Sequence, residues 1–231
     1  MTNIVVLNSH AHRDLRVRAN ASARFGDDQR FVAVVVGEFP LLAVQCPILL
    51  SKDAETGAFY AGAMLGFDPG ENLFLDEAKG FDGYRPLNLR RAPFFAAGDD
   101  LAIDLDSPRI AETDGQALFD GGGAPTPYLQ GVMSAFRELK PGADRTRAFI
   151  DTLLPLKLIE PVTIDLAFDD GTRRVLEDLY TINQEALRAL PDAAVIDLFR
   201  RGYLHLASLM IASLKQVPVL ARRKNQRLTD G

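Results

Sequence analysis

The spacing of short apolar segments through the first 120 residues constrains the fold most. Segments such as Asn3–Asn8 and Leu101–Leu105 are only a few residues long, and they are separated by glycine and aspartate clusters such as Gly66–Gly70 and Gly98–Asp100. Parallel strands need long crossover connections, and no long helical pattern lies between these segments. The spacing therefore predicts antiparallel strands in this half of the chain.

Three further segments refine this prediction. Phe31–Val36 is a continuous apolar run, which is typical of a central strand buried on both faces. Val44–Leu50 contains Pro47, which fits an edge strand, a bulge or the start of a strand. Residues 162–178 contain two alternating segments around Asp169-Asp170-Gly171, and this pattern predicts a hairpin.

Helical patterns follow in the second half, after the flexible stretch Gly121–Pro127. The sequence predicts helices over Tyr128–Lys140 and Thr146–Leu154, because a proline and a glycine stand between them. A further helix is expected over Asp192–Gln216, with Pro218 as its stop. Its second half is apolar on nearly every face, so we expect it to be buried on two sides.

These elements predict an α+β protein. Its antiparallel, partly curled sheet would combine strands of the N-terminal half with the hairpin near 162–178, and the C-terminal helices would pack on that sheet. A chain of 231 residues can form one large domain, so we expect a single domain over residues 1–231. Residues 121–127 are the candidate internal boundary.

The charge balance argues against a general nucleic-acid-binding protein. The chain has a formal net charge of −5, whereas binding to phosphates requires a basic face. A basic cluster near the end of the chain is interpreted as a solvated helix end or tail rather than as a binding patch. Its members are Arg222, Arg223, Lys224 and Arg227.

Compartment and membrane topology are inferred from three observations. Cys46 is the single cysteine and cannot form an internal disulfide, which favours a reducing compartment. The first residues lack the pattern of a signal peptide. The longest strongly apolar run, Leu204–Leu214, is shorter than the roughly 20 residues that span a bilayer. We therefore expect a soluble, cytoplasmic protein without a membrane span.

The first candidate site contains His10 and His12. On a strand, residues at i and i+2 project from the same face, so these imidazoles could bind one metal ion. The only other histidine, His205, lies in a helix that is predicted to be buried. We therefore expect no metal site, and binding by His10 and His12 is the alternative.

The second candidate site is the segment around residues 84–94. Arginine side chains bind carboxylates and phosphates in bidentate fashion, and nearby aromatic side chains could add contact area. The other interpretation is a structural network, in which the same arginines form salt bridges to Glu71, Asp76 or Asp82. The predicted ligand-binding residues are Tyr84, Arg85, Arg90, Arg91 and Phe94.

The remaining candidates for chemistry are weaker. Cys46 has no histidine close to it in sequence and is expected to be a small core residue. Ser208 and Ser213 lack the glycine context of a nucleophile elbow. The chain contains neither a dinucleotide-binding glycine motif nor a Walker loop. We therefore expect no cofactor and assign no catalytic residue.

Several motifs along the chain are similar to those of a known bacterial family. They include His12-Arg13-Asp14-Leu15-Arg16-Val17, Cys46-Pro47-Ile48, the block Glu71–Phe94, and Leu118-Phe119-Asp120. Together with the apolar stretch Gly202–Leu214, they resemble the SapC family over nearly the whole chain.

The resemblance implies a role rather than a reaction. It implies an accessory or binding protein that serves a surface-layer or outer-membrane uptake or modification system. The partners implied are surface-layer proteins, TonB-dependent receptors and halogenase-like proteins, with JmjC-like cupin proteins as further neighbours. A soluble, non-catalytic binding protein is thus the leading expectation. An enzyme that modifies a small molecule or peptide, with or without a metal held by His10 and His12, is the alternative. A ligand-sensing module that uses the arginines is the third hypothesis.

Overall fold

The computed structural model describes residues 3–76 and 78–230 of the chain. Short strands dominate the first half, and the two longest strands lie in the second half. In chain order the strands are β1 (Ile4–Val6), β2 (Arg16–Val17), β3 (Phe31–Ala33), β4 (Ile48–Lys52), β5 (Phe59–Met64), β6 (Leu75–Asp76), β7 (Gly80–Phe81), β8 (Phe94–Ala97), β9 (Asp100–Asp104), β10 (Ile110–Ala111), β11 (Gln116–Ala117), β12 (Ile159–Ala167) and β13 (Arg173–Ile182).

The longer helices lie in the second half, and two single-turn helices precede them. The helices are α1 (Phe39–Leu42), α2 (Leu87–Arg90), α3 (Pro127–Leu153), α4 (Gln184–Arg188), α5 (Asp192–Arg200), α6 (Tyr203–Ser213) and α7 (Val217–Asp230). Helices and antiparallel sheets together confirm the predicted α+β class.

Contacts divide the chain into two compact units, each built from two segments. The first unit combines the chain up to Asp28 with Leu75–Lys140. It contains the antiparallel sheets β1-β9-β8, β10-β2-β11 and β6-β7. Its buried core includes aliphatic and aromatic side chains from these sheets and from the start of α3. These residues are Val17, Phe94, Ile103, Leu118, Leu129 and Val132.

The second unit combines Gln29–Phe74 with the chain from Pro141 onward. Its five-stranded antiparallel sheet has the order β12-β13-β4-β5-β3. The predicted hairpin near 162–178 is confirmed as β12 and β13, and Pro47 directly precedes β4. Among the described residues, the N-terminal strands are thus divided between several sheets, and only β3, β4 and β5 join the hairpin.

The prediction of a central strand over Phe31–Val36 is wrong. β3 ends at Ala33 and lies at the edge of its sheet. The apolar residues that follow turn into a 3₁₀ segment, where the backbone N–H of Val35 donates to the Glu38 carboxylate at 2.9 Å. The run is apolar because its valines are buried in this turn, not because a strand is covered on both faces.

The predicted break between two helices at Pro141 is also wrong. α3 continues through Pro141, and in the next turn the Thr146 hydroxyl donates to the Gly142 carbonyl at 2.7 Å and accepts the Val36 backbone N–H at 2.9 Å. Gly142 is needed for packing, because a Cβ atom there would lie 2.8 Å from a methyl group of Val35. Tertiary packing overrides the local helix-breaking signal.

The C-terminal helix differs from the prediction in three ways. Gly202, with φ of +74°, separates α5 from α6, so Asp192–Gln216 is not one helix. α6 buries one stripe rather than two sides, and His205 is exposed. Pro218 lies in the first turn of α7, where a missing N–H is tolerated, and does not end the helical region.

The helical stretch Tyr203–Thr229 has a further property. By length and composition it is apolar enough to cross a bilayer, and no other stretch in the described parts of the chain meets this test. Of the residues in its most apolar 18-residue window, only 22% are buried.

Candidate functional site

A cleft of about 430 Å³ opens on the five-stranded sheet of the second unit. Its walls come from the edge strand β3, from β4 and β5, and from the middle of β13. The lining residues are Arg30, Phe31, Ser51, Tyr60, Met64, Gly66 and Val175–Leu179. We call this space the bulge cleft. Its volume falls within the roughly 300–1,000 Å³ typical of small-molecule sites.

A β-bulge shapes one wall of the bulge cleft. Val162 pairs with Leu179 and Ile164 pairs with Leu176, so Glu177 and Asp178 together oppose a single residue of β12. Asp178 has φ of +58°, a conformation that non-glycine residues rarely adopt. Such bulges redirect side chains and are frequent beside functional sites. Here the bulge brings two adjacent, exposed carboxylates to the cleft wall.

The Ser51 hydroxyl and the aromatic pair Phe31 and Tyr60 lie on the strands beside the bulge. The Ser51 hydroxyl donates to the backbone carbonyl of Asp178 at 3.2 Å, which ties β4 to the bulge. The rings of Phe31 and Tyr60 pack edge to face, with centroids 6.0 Å apart. This arrangement requires Gly62, because a Cβ atom there would lie 2.1 Å from the Phe31 ring.

Residues of opposite charge line the cleft, with Arg30 directly before β3 and the two acids on β13. Arg30 is exposed and donates to the Phe67 carbonyl at 3.3 Å, while Glu177 and Asp178 supply carboxylates from β13. Within the described residues that line it, none is a histidine or cysteine that could act as a base or thiol nucleophile. The arrangement can therefore bind a ligand with separated charges.

The loop Gly70–Phe74, which contains the start of the block Glu71–Phe94, is anchored by α7. The Lys224 ammonium pairs with both Asp68 and Glu71, at 2.7 Å to Glu71 Oε1. Glu71 in turn accepts the Phe67 backbone N–H at 2.7 Å. Arg227 donates to the Asn72 carbonyl at 3.1 Å. These contacts give the start of the block, Glu71 and Asn72, a structural role.

Electrostatics support this anchor. Hydrogen bonding from Arg174, together with that from Lys224, lowers the pKa of Asp68 against the opposing effect of its burial. The pKa of Lys224 is raised, because its two carboxylate partners outweigh the desolvation that opposes its charge. The expectation that this basic cluster is a solvated helix end or tail is therefore wrong for Lys224, which is buried. Arg222 and Arg227 are both exposed.

The arginine side chains of the predicted site do not point to one common binding position. Arg85 donates to Asp27 at 2.7 Å and to the Leu89 carbonyl at 3.1 Å. Arg109 pairs with the other oxygen of Asp27, and Arg109 and Asp27 are each 1% exposed. Burial is the main cause of the lowered pKa of Arg85. Sequence reasoning missed both partners, Asp27 and Arg109, which are distant in the chain.

The other members of the predicted site lie apart from this network. Arg91 donates to the Asn88 side chain and to the Phe94 carbonyl, each at 2.7 Å, and burial lowers its pKa. Arg90 is exposed, Tyr84 is half-buried and Phe94 is fully buried in the core. Phe94 therefore offers no surface for a ligand. The geometry of Arg85 and Arg91 favours the structural interpretation.

The histidine pair is not on a strand. His10 and His12 lie in consecutive turns after β1, where the Nδ1 atom of His12 accepts the Asn8 backbone N–H at 3.0 Å. The premise that their side chains project from one strand face is thus wrong. In the described part of the chain, no three His, Cys, Asp or Glu side chains are grouped as a metal site would need.

Cys46 is buried beside Glu38, as expected for a core residue. Burial, with the Glu38 carboxylate as the second cause, raises the pKa of the thiol to about 12. The thiolate is the nucleophilic form of cysteine, so this thiol is held in its unreactive state.

Comparison with known proteins gives the family. The SapC family model matches residues 7–220, nearly the whole chain. The chain belongs to the SapC family. No curated protein matches this chain, and no solved structure does. The family assignment confirms the sequence resemblance and leaves the activity to be argued from the site.

The bulge cleft of this SapC protein escaped sequence reasoning. Two adjacent acids, Glu177 and Asp178, interrupt the alternation of β13, and that interruption is the local signal of a bulge. Tyr60 and Arg30 carry no comparable signal, because only long-range strand pairing brings them to β13.

Proposed function

We propose that this SapC protein is a non-catalytic binding protein and that the bulge cleft is its ligand site. The observation that carries the proposal is the bulge itself. It brings Glu177 and Asp178 to a cleft that also holds Arg30 and the aromatic pair of Phe31 and Tyr60. The lining thus combines charges of both signs with an apolar surface, as ligand sites commonly do.

The strand order suggests the kind of ligand. β13 and β3 are three strand spacings apart in the sheet, which corresponds to roughly 14 Å. An extended peptide rises about 3.5 Å per residue, so a chain of about three residues could approach both charged walls. We propose a short peptide, with its terminal ammonium at Glu177 and Asp178 and its carboxylate at Arg30.

We further propose that this binding serves a surface-layer or outer-membrane uptake or modification system. This part rests on the family resemblance, and a TonB-dependent receptor or a halogenase-like protein is the proposed partner. The cytoplasm is the proposed compartment, which the single buried cysteine favours. Affinity capture from host lysate tests the partner: recovery of such proteins supports this part, and their absence from repeated captures contradicts it.

Titration calorimetry with a defined peptide tests the proposed ligand. The tripeptide Ala-Phe-Ala is compared with the same peptide acetylated at its N-terminus and amidated at its C-terminus. We expect the capped peptide to bind at least about tenfold more weakly, because both charge-assisted contacts are lost. Equal binding of the two peptides, or binding of neither, contradicts the proposal.

A further inference from the structure

The C-terminal helical segment is sharply segregated in charge. Residues 198–229 contain seven basic and no acidic side chains, whereas the remaining chain contains 19 basic and 31 acidic ones. The segment therefore carries +7 and the remainder −12. The basic residues are Arg200, Arg201, Lys215, Arg222, Arg223, Lys224 and Arg227.

The same segment is apolar but poorly covered. α6 buries one stripe, formed by Ala207, Met210 and Ser213, and leaves Leu204 and Ile211 half-exposed. In α5, the Phe199 side chain is 71% exposed. An apolar helix in a protein interior would bury most of its side chains. α6 therefore has more apolar side chains than its packing in this chain uses.

Exposed cations follow the partly open helix α6 toward the C-terminus. Ile211 lies in α6, Lys215 in the 3₁₀ segment Leu214–Gln216 that follows it, and Arg222 in α7. Lys215 and Arg222 are exposed. Arg200, also exposed, directly follows Phe199 at the end of α5, which packs against α6.

We propose that this surface, formed by Phe199, Arg200, Leu204, Ile211, Lys215 and Arg222, docks on an anionic lipid bilayer. Interfacial helices combine a basic polar side with apolar side chains that enter the headgroup region, and both are present here. Nucleic acid requires the cations but not the exposed Phe199. If two copies of this chain met through this surface, their cations would face one another and repel, so a dimer is disfavoured.

Vesicle flotation tests this docking with the full chain. Phosphatidylcholine vesicles are compared with vesicles that also contain phosphatidylglycerol, at low and high salt. We expect binding to the anionic vesicles alone and its loss at high salt. The double variant Lys215→Gln/Arg222→Gln should lower the partition coefficient by at least about tenfold. Phe199→Ser should lower it as well.

Matched controls separate this surface from general charge and stability. Arg137→Gln/Arg147→Gln removes two exposed cations from α3, and Val6→Ser removes an exposed valine from β1; both should bind vesicles like the wild type. Glu177→Gln should also do so, since docking is independent of the bulge cleft. The proposal is overturned if the control variants lose vesicle binding or if the protein binds neutral vesicles alone. It is also overturned by a Phe199-dependent dimer that does not bind vesicles, or by equal affinity for duplex DNA.

Discussion

The Nζ atom of Lys224 donates to Oε1 of Glu71 at 2.7 Å and so joins residues that are 153 positions apart in the chain. Glu71 uses its other oxygen to accept the backbone N–H groups of Phe67 and Asp68. One glutamate thus shapes the loop before the family motif and holds α7 against it. The first residues of the family-like block Glu71–Phe94 therefore form a contact surface for α7.

Removing the cation of this anchor should destabilise the protein. Lys224→Met leaves Asp68 and Glu71 without their shared ammonium partner, and we expect a loss of about 3 kcal/mol in the free energy of unfolding. This value is at the low end for buried pairs because both carboxylates keep some solvent contact. Arg222→Met, on the same helix but exposed, should change stability by less than about 0.5 kcal/mol. Urea denaturation of the two variants provides the measurement, and equal stabilities would argue against the anchor.

The anchor should also appear in the pH dependence of stability. The pKa of Asp68 is lowered in the folded state, so its contribution is fully present above about pH 4 and is lost as the pH falls through the folded-state value. The pKa of Lys224 is raised, so its contribution is lost only as the pH rises above about 10. Melting temperatures measured from pH 7 downward should fall more steeply for the wild type than for Lys224→Met. Parallel curves would show that the pair contributes nothing.

Two variants distinguish the structural from the ligand-binding interpretation of the predicted arginine site. Arg85→Ala removes charge-assisted hydrogen bonds to Asp27 and to backbone carbonyls, and should cost about 3 kcal/mol of stability. Arg90 is exposed, so Arg90→Ala should change stability by less than about 0.5 kcal/mol. Chemical denaturation checks both values. If Arg85→Ala were as stable as the wild type, the ligand-binding interpretation of this segment would return.

A pair of serines on α6 tests which side of that helix is buried. The Ser213 hydroxyl accepts the Ile48 backbone N–H at 2.9 Å, whereas the exposed Ser208 hydroxyl donates only to the Leu204 carbonyl of its own helix. Ser213→Ala leaves the buried backbone N–H of Ile48 in β4 without its acceptor and should lower the free energy of unfolding by about 1–3 kcal/mol. Ser208→Ala should be nearly neutral. Thermal melts of both variants distinguish them, and a larger effect at Ser208 would mean that the helix packs by its other side.

Local patterns predicted what local interactions determine. The hairpin of β12 and β13 was predictable because alternation and a turn suffice to form it. The edge position of β3 was not, since sheet order depends on pairing between distant segments. Arg85 of the predicted site binds a carboxylate, but its partner Asp27 lies 58 residues away in the chain and was not visible from the local pattern.

The central claim, that the bulge cleft binds the terminal ammonium of a short peptide, is tested most directly by a cycle of titrations. Ala-Phe-Ala and its N-acetylated form are titrated into the wild type and into Glu177→Gln/Asp178→Asn, with Glu138→Gln as an exposed acidic control. Acetylation should weaken binding to the wild type and to the control by at least about tenfold, and should have no effect in the double variant. An equal effect of acetylation in all three proteins would contradict the claim.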